Sequence, residues 1–271
     1  MNVFVRSAER LVAGFNGLAL WKGECDVWNV RLAAATFDRW LYLRLHRLGC
    51  MGREERATLQ RIVRPGMTVL DVGANLGLYT VLFARLVGAT GGVIAFEPDP
   101  ALFALLRRNS TLNGFTNITA HNLALGSRSD RAMLRKMIFN SGDNTLGSDG
   151  SRCFRREVPI QVVALDEFLP ALHIDLVKID VQGWEFEVLR GMDRILAACP
   201  HAGIYFELWP AGLRRAERTP AEMAEWLQAR GYKLYHAATG SELDESAFAA
   251  LVSKLTGMKH ADLLALRGAH L

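Results

Sequence analysis

The segment that most limits what this chain can become is Val69-Leu70-Asp71-Val72-Gly73-Ala74-Asn75-Leu76-Gly77. A short apolar run ends near an acidic residue, passes through a glycine-containing turn, and opens into an apolar helical pattern from Leu76 to about Val87. In an open α/β sheet such a strand, turn and helix place a ligand beyond the carboxyl ends of the strands. Gly73 and Gly77 remove Cβ atoms where a ligand and a helix must come near the backbone. The spacing is not that of a dinucleotide fingerprint, because Asn75 stands at the middle glycine and Leu78 at the third. Asp71 would repel a pyrophosphate, and it suits instead a ligand bearing an ammonium and a sulfonium.

The rest of the chain repeats the alternation. After Pro65-Gly66, strands are predicted at Met67 to Gly73, Val93 to Glu97 and Ile118 to Leu125, separated by helices from Leu76 and from Pro98 to Asn113. Strands follow at Asp175 to Asp180, Gly203 to Leu208, Tyr232 to Ala237 and Ala261 to Gly268. Helices are predicted between them at Trp184 to Ala198, Thr219 to Arg230 and Glu242 to Leu255. The pattern predicts an α/β domain over residues 65–271, a mainly parallel sheet of about seven strands with helices on both faces and right-handed crossovers. Residues 126–159 interrupt it with Gly, Ser, Asp and Arg, leaving Ala132 to Phe139 and Glu157 to Leu165 as an antiparallel pair. That length of irregular chain marks a substrate-side insertion or lid. Residues 1–64 read as a helical extension packed on the domain, and the basic amphipathic stretch around Phe37 to Leu48 also suits contact with a membrane surface.

Composition narrows the function. In 271 residues no apolar run approaches the roughly 20 that a spanning helix requires. The net charge of +4 is too small and too dispersed to argue for nucleic acid. Basic residues do crowd before Pro65 and again from Arg128 to Arg156, chiefly as solvated side chains. Cys25, Cys50, Cys153 and Cys199 show no zinc or disulfide spacing, which fits a reducing cytoplasm. No cleavable leader pattern opens the sequence. Neither a G-x-S-x-G elbow nor an H-E-x-x-H helix is present, so hydrolase chemistry finds no support.

Two acidic positions sharpen the ligand. Glu97 ends the second strand near the ~20-residue spacing at which a carboxylate accepts hydrogen bonds from ribose hydroxyls. Together with Asp71 it favours a nucleoside bearing positive charge, such as S-adenosylmethionine. Later in the chain, alternation along Asp175 to Asp180 puts Lys178 and Asp180 on one face, with Asp180 at the strand's carboxyl end. Asp180 is the first candidate for a catalytic carboxylate. Glu207 holds the same position on the next strand and either orients the acceptor or takes its proton. Lys178 reads as an ion-pair partner within that site, and Glu185 as a cap on the following helix. A metal shared by Asp180 and Glu207 is the weaker reading, since further oxygen ligands are not placed by the pattern. Trp184, Trp209 and Tyr79 follow strand ends and offer flat faces to a sugar ring or to the core. Asn140, Asp143, Asn144 and Thr145, with Arg152, Arg155 and Arg156, are candidate acceptor contacts in the insertion. His121 reads as a core or edge residue.

The stretches VLDVGANLG, AFEPDP and KIDVQGWEFEVLRG, with the closing HADLLALR, resemble the FkbM family of S-adenosylmethionine-dependent methyltransferases from about Pro65 onward. The resemblance implies a Rossmann-like class I sheet whose last strand is antiparallel. It implies that Asp71, Gly73, Ala74, Asn75 and Gly77 surround the methionine end of S-adenosylmethionine, that Glu97 beside Pro98 holds the ribose, and that Asn122 and Ala124 border the adenine. Asp180 would face the methyl donor, and Gln182 stands where the family often carries Glu. The expected activity is methyl transfer to a hydroxyl oxygen of a sugar, glycan or secondary metabolite. N-methylation of an amide or peptide stays open, and a nicotinamide oxidoreductase or a non-catalytic binding protein ranks lower.

Overall fold

A computed structural model describes residues 24–33, 53–137 and 154–268. The sequence pattern assigns residues 1–64 to a helical extension, but residues 24–33 fold as a hairpin. Strands β1 (Glu24–Val27) and β2 (Val30–Ala33) pair antiparallel, with Cys25 opposite Leu32 and Val27 opposite Val30. These four apolar residues alternate and are all buried, the period of a half-buried strand. Trp28 and Asn29 take φ of 57° and 63°, the left-handed backbone of a two-residue turn that matches strand twist. Helix α1 (Arg53–Ile62) keeps the helical expectation for the end of the extension, and its Leu59 packs with Val63 into the domain. The amphipathic stretch around Phe37 to Leu48 lies outside the described residues.

The next five elements follow the expected alternation: β3 (Thr68–Val72), α2 (Leu78–Val87), β4 (Gly92–Phe96), α3 (Pro100–Leu112) and β5 (Ile118–His121). Asp99 starts α3 by accepting from the Ala101 N–H at 2.9 Å, with Pro100 in the first turn. The single strand expected from Ile118 to Leu125 is two. β5 stops at His121, and β6 (Ala124–Leu125) leaves the main sheet for a second one with β7 (Asp130–Met137) and β8 (Phe154–Val163), in the order β6-β8-β7. Between them the Asn122 amide donates to the carbonyls of Glu97 and Pro98 at 2.8 and 3.0 Å, turning the chain away. The antiparallel pair expected in the insertion is the β7–β8 ladder, with Leu134 opposite Val158.

Beyond the insertion come α4 (Leu165–Phe168), β9 (Leu176–Ile179), α5 (Glu185–Arg190), α6 (Asp193–Ala198) and β10 (Gly203–Leu208). The helix expected from Trp184 to Ala198 is thus two short ones. At the break, a Cβ on Gly191 would sit 1.9 Å from the Gly126 carbonyl oxygen, and Asp166 caps α6 through the N–H groups of Arg194 and Ile195, both at 2.9 Å. The chain ends with α7 (Pro210–Arg215), α8 (Pro220–Gln228), β11 (Lys233–His236), α9 (Glu245–Lys254) and β12 (Ala261–Leu266). Thr219 and Glu222 form a reciprocal capping box on α8.

The main sheet has seven strands in the order β11-β12-β10-β9-β3-β4-β5. Strands β10, β9, β3, β4 and β5 run parallel, while β12, the last in the chain, slots antiparallel between β10 and β11. This is the Rossmann-like class I sheet with its closing antiparallel strand. Leu70, Val177, Ile179 and Phe206 pack on Val188, Leu189 and Leu227 at one face, and Val69, Leu176 and Leu264 pack on Leu59, Phe83 and Val87 at the other. Strand order reverses between β3 and β9, so the carboxyl ends of those two strands flank the crevice where open sheets bind ligands. Among the described residues no helix is long and apolar enough to cross a membrane.

Candidate active site

The crevice opens at that reversal. Gly73 leaves β3 at φ 80°, with its N–H and that of Ala74 both bonded to the Phe96 carbonyl at 3.0 Å. Asn75, at φ 54°, sends its N–H to Glu97 Oε2 at 2.8 Å, and the Asp99 N–H meets the other oxygen of Glu97 at 2.8 Å. Burial lifts the Glu97 carboxyl to about 8, although these two N–H groups pull it down. Gly73, Asn75, Glu97, Pro98, Ala124 and Asp180, six of the residues expected around the cofactor, line one cleft. Leu102, Leu123 and Leu134 give it apolar walls, and Trp184 stands at its side.

The other expected cofactor residues lie one layer behind. Asp71 is fully buried and accepts from Thr80 Oγ1 at 2.6 Å, so it anchors the turn to α2 and does not face the cleft. Burial raises its carboxyl against the pull of Lys178. Ala74 is buried in the turn, Gly77 lets α2 approach Leu106, and Asn122 secures the Glu97-Pro98 backbone.

A second group gathers where β9 and β10 end and β12 begins. Lys178 is buried beside Asp71 in register, its Nζ 3.2 Å from Asp180 Oδ2 and 4.0 Å from Glu55 Oε1. Burial alone would lower this amine, but Asp180, Glu55 and Asp71 outweigh it and hold the lysine charged above its ordinary range. The sequence reading of Lys178 as an ion-pair partner matches this geometry. Gln182, at φ 55°, bridges the two candidate carboxylates: its Nε2 donates to Asp180 Oδ1 at 3.0 Å and to Glu207 Oε2 at 3.2 Å. Burial first, then the charge of Asp180, pushes Glu207 up to about 9.

Sequence reasoning missed three contributors here. Glu55 reaches in from α1 to accept the Tyr79 hydroxyl proton, and burial raises it to about 7. Asp262 stands opposite Glu207 on β12, and His260 Nε2 lies 3.4 Å from Glu207 Oε1. His260 and Asp262 open the closing HADLLALR stretch, but only the pairing of β12 with β10 brings them to Glu207, and only the packing of α1 brings in Glu55. Glu185 does not cap α5 through the helix's own N–H groups alone: its Oε1 accepts from Gly183 at 3.0 Å and Val181 at 3.3 Å, and so holds the turn that carries Gln182. Of the three aromatic candidates, Trp184 lines the cleft, whereas Trp209 is buried with its N–H on the Gly257 carbonyl at 2.9 Å. Tyr79 lies under Lys178, whose Nζ is 4.5 Å from the ring centre. His121 stacks on Phe96 at the sheet edge, as expected. Asn140, Asp143, Asn144, Thr145 and Arg152, like the side chains of Arg155 and Arg156, fall outside the described residues.

Fold and cleft together define a class I S-adenosylmethionine-dependent methyltransferase domain. The family profile of the methyltransferase FkbM domain matches residues 71–234, and the chain belongs to that family. It is 30% identical over 145 residues to methyltransferase 1 of Beauveria bassiana, 46% of this chain and 58% of that protein. It is 29% identical over 143 residues to the hexuronic acid methyltransferase AglP of Haloferax volcanii, covering 49% and 56% of the two. A third relative, the 31-O-demethyl-FK506 methyltransferase FkbM of Streptomyces tacrolimicus, is 32% identical over 164 residues, 48% of this chain and 61% of the other. The matched part of the chain thus spans less than two thirds of each of these relatives.

The methyl donor of this family is S-adenosylmethionine, and the residues present fit it. The Gly73 turn leaves no side chain between β3 and Asp180, Glu97 presents a buried carboxylate at the second strand end, and apolar walls flank Ala124 where a purine would lie.

Proposed function

We propose that the domain transfers a methyl group to a hydroxyl oxygen of a sugar, glycan or secondary metabolite. The observation that carries this reading is the Asp180 carboxylate on the cleft wall, held by the Lys178 ammonium on one oxygen and the Gln182 amide on the other. Bound S-adenosylmethionine would supply a methyl carbon on a positively charged sulfur. Glu97 would hold the ribose, and the Gly73 to Asn75 turn the methionine end. Transfer to an alcohol needs the oxygen in line with the methyl carbon and a base for its proton. Asp180 is that base, and the Lys178 ammonium 3.2 Å away holds its carboxylate in place. Glu207, raised to about 9, carries its own proton at neutral pH and orients the acceptor through a hydrogen bond.

The charge around this group supports a neutral acceptor. Lys178 is committed to Asp180 and Glu55, and Glu207 and Asp262 add further carboxyl groups beside it. The O-demethyl substrate in the name of one relative supports oxygen as the accepting atom.

Replacing Asp180 by Asn tests the assignment. Removing a positioned base typically costs 10²–10⁴-fold, so at least a 100-fold loss of turnover is expected, with S-adenosylhomocysteine affinity within about threefold of the parent. Unchanged turnover would remove Asp180 from the base role.

A further inference from the structure

We propose that Lys136 is a positioning residue for the cofactor, which by pairing with Asp99 straps the β7–β8 hairpin across the adenosyl end of the cleft and fixes Glu97. This rests on reading the cleft as the adenosyl site.

Lys136 emerges from β7 into the protein and is only 6% exposed, and its Nζ forms an ion pair with Asp99 Oδ2, itself 1% exposed. The other oxygen of Asp99 accepts from the Ala101 N–H at 2.9 Å, and the Asp99 N–H donates to Glu97 Oε1 at 2.8 Å. Asp99 is thus tied at three points: to the insertion, to the first turn of α3, and to the carboxylate at the cleft. Leu134 is two residues earlier on β7, and so on the same face as Lys136, where it forms part of the cleft wall. Ala124, Leu134, Ile160 and Val162 pack together behind that wall, which makes the hairpin one body with the strand bordering the cleft. The described part of the insertion therefore belongs to the cofactor end of the crevice, where the sequence pattern assigns it to the substrate side.

Taking the ammonium away from a carboxylate this deeply buried is strongly unfavourable. Without Lys136 the Asp99 side chain shifts toward water, and the N–H that fixes Glu97 moves with it. A residue that merely braced the hairpin would lower thermal stability without altering affinity measured well below the melting transition.

Calorimetric titration with S-adenosylhomocysteine at such a temperature separates the two roles in the parent, K136M and the paired variant D99N/K136M. We expect K136M to bind at least tenfold more weakly. The paired variant should return to within threefold of the parent, because a neutral Asn still caps α3 and strands no charge. K136M within twofold of the parent, or a paired variant no tighter than K136M, would overturn the proposal. Should K136M fail to fold, D99N and D99N/K136M give the same comparison: D99N takes the Asp99 charge away from the buried Lys136 ammonium and is expected to bind more weakly than the pair, and the reverse order refutes the strap. A parent protein that binds no S-adenosylhomocysteine would instead overturn the cofactor reading itself.

Discussion

A Cβ on Gly73 would lie 2.0 Å from the carbonyl oxygen of Asp180, so the turn that opens the cleft and the residue proposed as base are in backbone contact. The contact spans the point where strand order reverses. Gly73 also sits at φ 80°, where an L side chain is strained. Gly73→Ala is therefore expected to push β3 and β9 apart at their carboxyl ends, weakening S-adenosylhomocysteine binding more than tenfold. Calorimetry checks it, and an unchanged affinity would show that the two loops can part without cost to the cleft.

Glu207 makes the alkaline side of the pH profile informative. Its carboxyl keeps its proton up to about 9 because it is buried and because Asp180 is negative beside it. If the protonated form orients the acceptor, turnover falls as pH rises through about 9. Glu207→Gln fixes a neutral donor in the same place. Its turnover at pH 7 should stay within about tenfold of the parent while the alkaline fall disappears. A variant profile that still bends at the same pH would assign that limb to another group.

Stability should also depend on pH, and the sign follows from burial. Glu97 and Glu185 are held at about 8 and about 7 against the ordinary glutamate value of 4.5, burial being the main cause for both. Between the ordinary and the raised value the unfolded chain has released these protons while the folded protein retains them. Stability is therefore greatest toward the acid end of that window and falls as pH climbs from about 5 to about 8. The melting temperature followed over this range should decline, and Glu97→Gln should flatten the decline because an amide does not titrate. A slope identical in parent and variant would show that Glu97 titrates alike in both states.

Much of this arrangement was legible in the sequence because strand ends in an α/β sheet carry their chemistry in short local words. Gly73, Asn75 and Glu97 follow directly from β3 and β4, and Asp180 and Glu207 from alternation along β9 and β10. Residues with long-range partners were not legible in this way. Glu55 meets Lys178 across 123 positions of chain only because α1 packs on the sheet beside Tyr79. Asp262 reaches Glu207 because β12 inserts between β10 and β11, which no local pattern specifies. Asp71 differs for the converse reason. Its position beside the turn suggests a ligand contact, but in the structure its Oδ2 accepts from the Thr80 hydroxyl in the first turn of α2, while Oδ1 is buried without a hydrogen-bond partner. The β1–β2 hairpin escaped notice because its turn is Trp28-Asn29, without the glycine that marks most such turns.

Two amides clamp that hairpin to α3: Asn113 accepts from the Arg31 N–H at 2.8 Å and donates to its carbonyl at 2.7 Å, and the buried Asn109 gives the last expectation. Asn109 of α3 is fully buried; its Oδ1 accepts from the Ala33 N–H at 2.6 Å, and its Nδ2 donates to the carbonyls of Ala33 and Leu76 at 3.1 and 2.7 Å. Leu76 belongs to the turn that shapes the cleft, so the same side chain joins the edge hairpin to the cofactor loop. Asn109→Leu keeps comparable volume but leaves these backbone groups without a partner, at about 1–3 kcal/mol for each group that stays buried. A loss of about 3 kcal/mol in all is expected, lowering the melting temperature by roughly 2–4 °C for each kcal/mol in a domain of this size. Binding of S-adenosylhomocysteine should weaken with it, since the Leu76 carbonyl anchors the turn. Asn109→Asp retains the acceptor for Ala33 but loses both donors and adds a buried charge, so it should be at least as damaging as the leucine. If either variant melts with the parent, the hairpin is docked by its apolar face of Cys25, Val27, Val30 and Leu32 against Leu78 and Val81, and the amide is incidental.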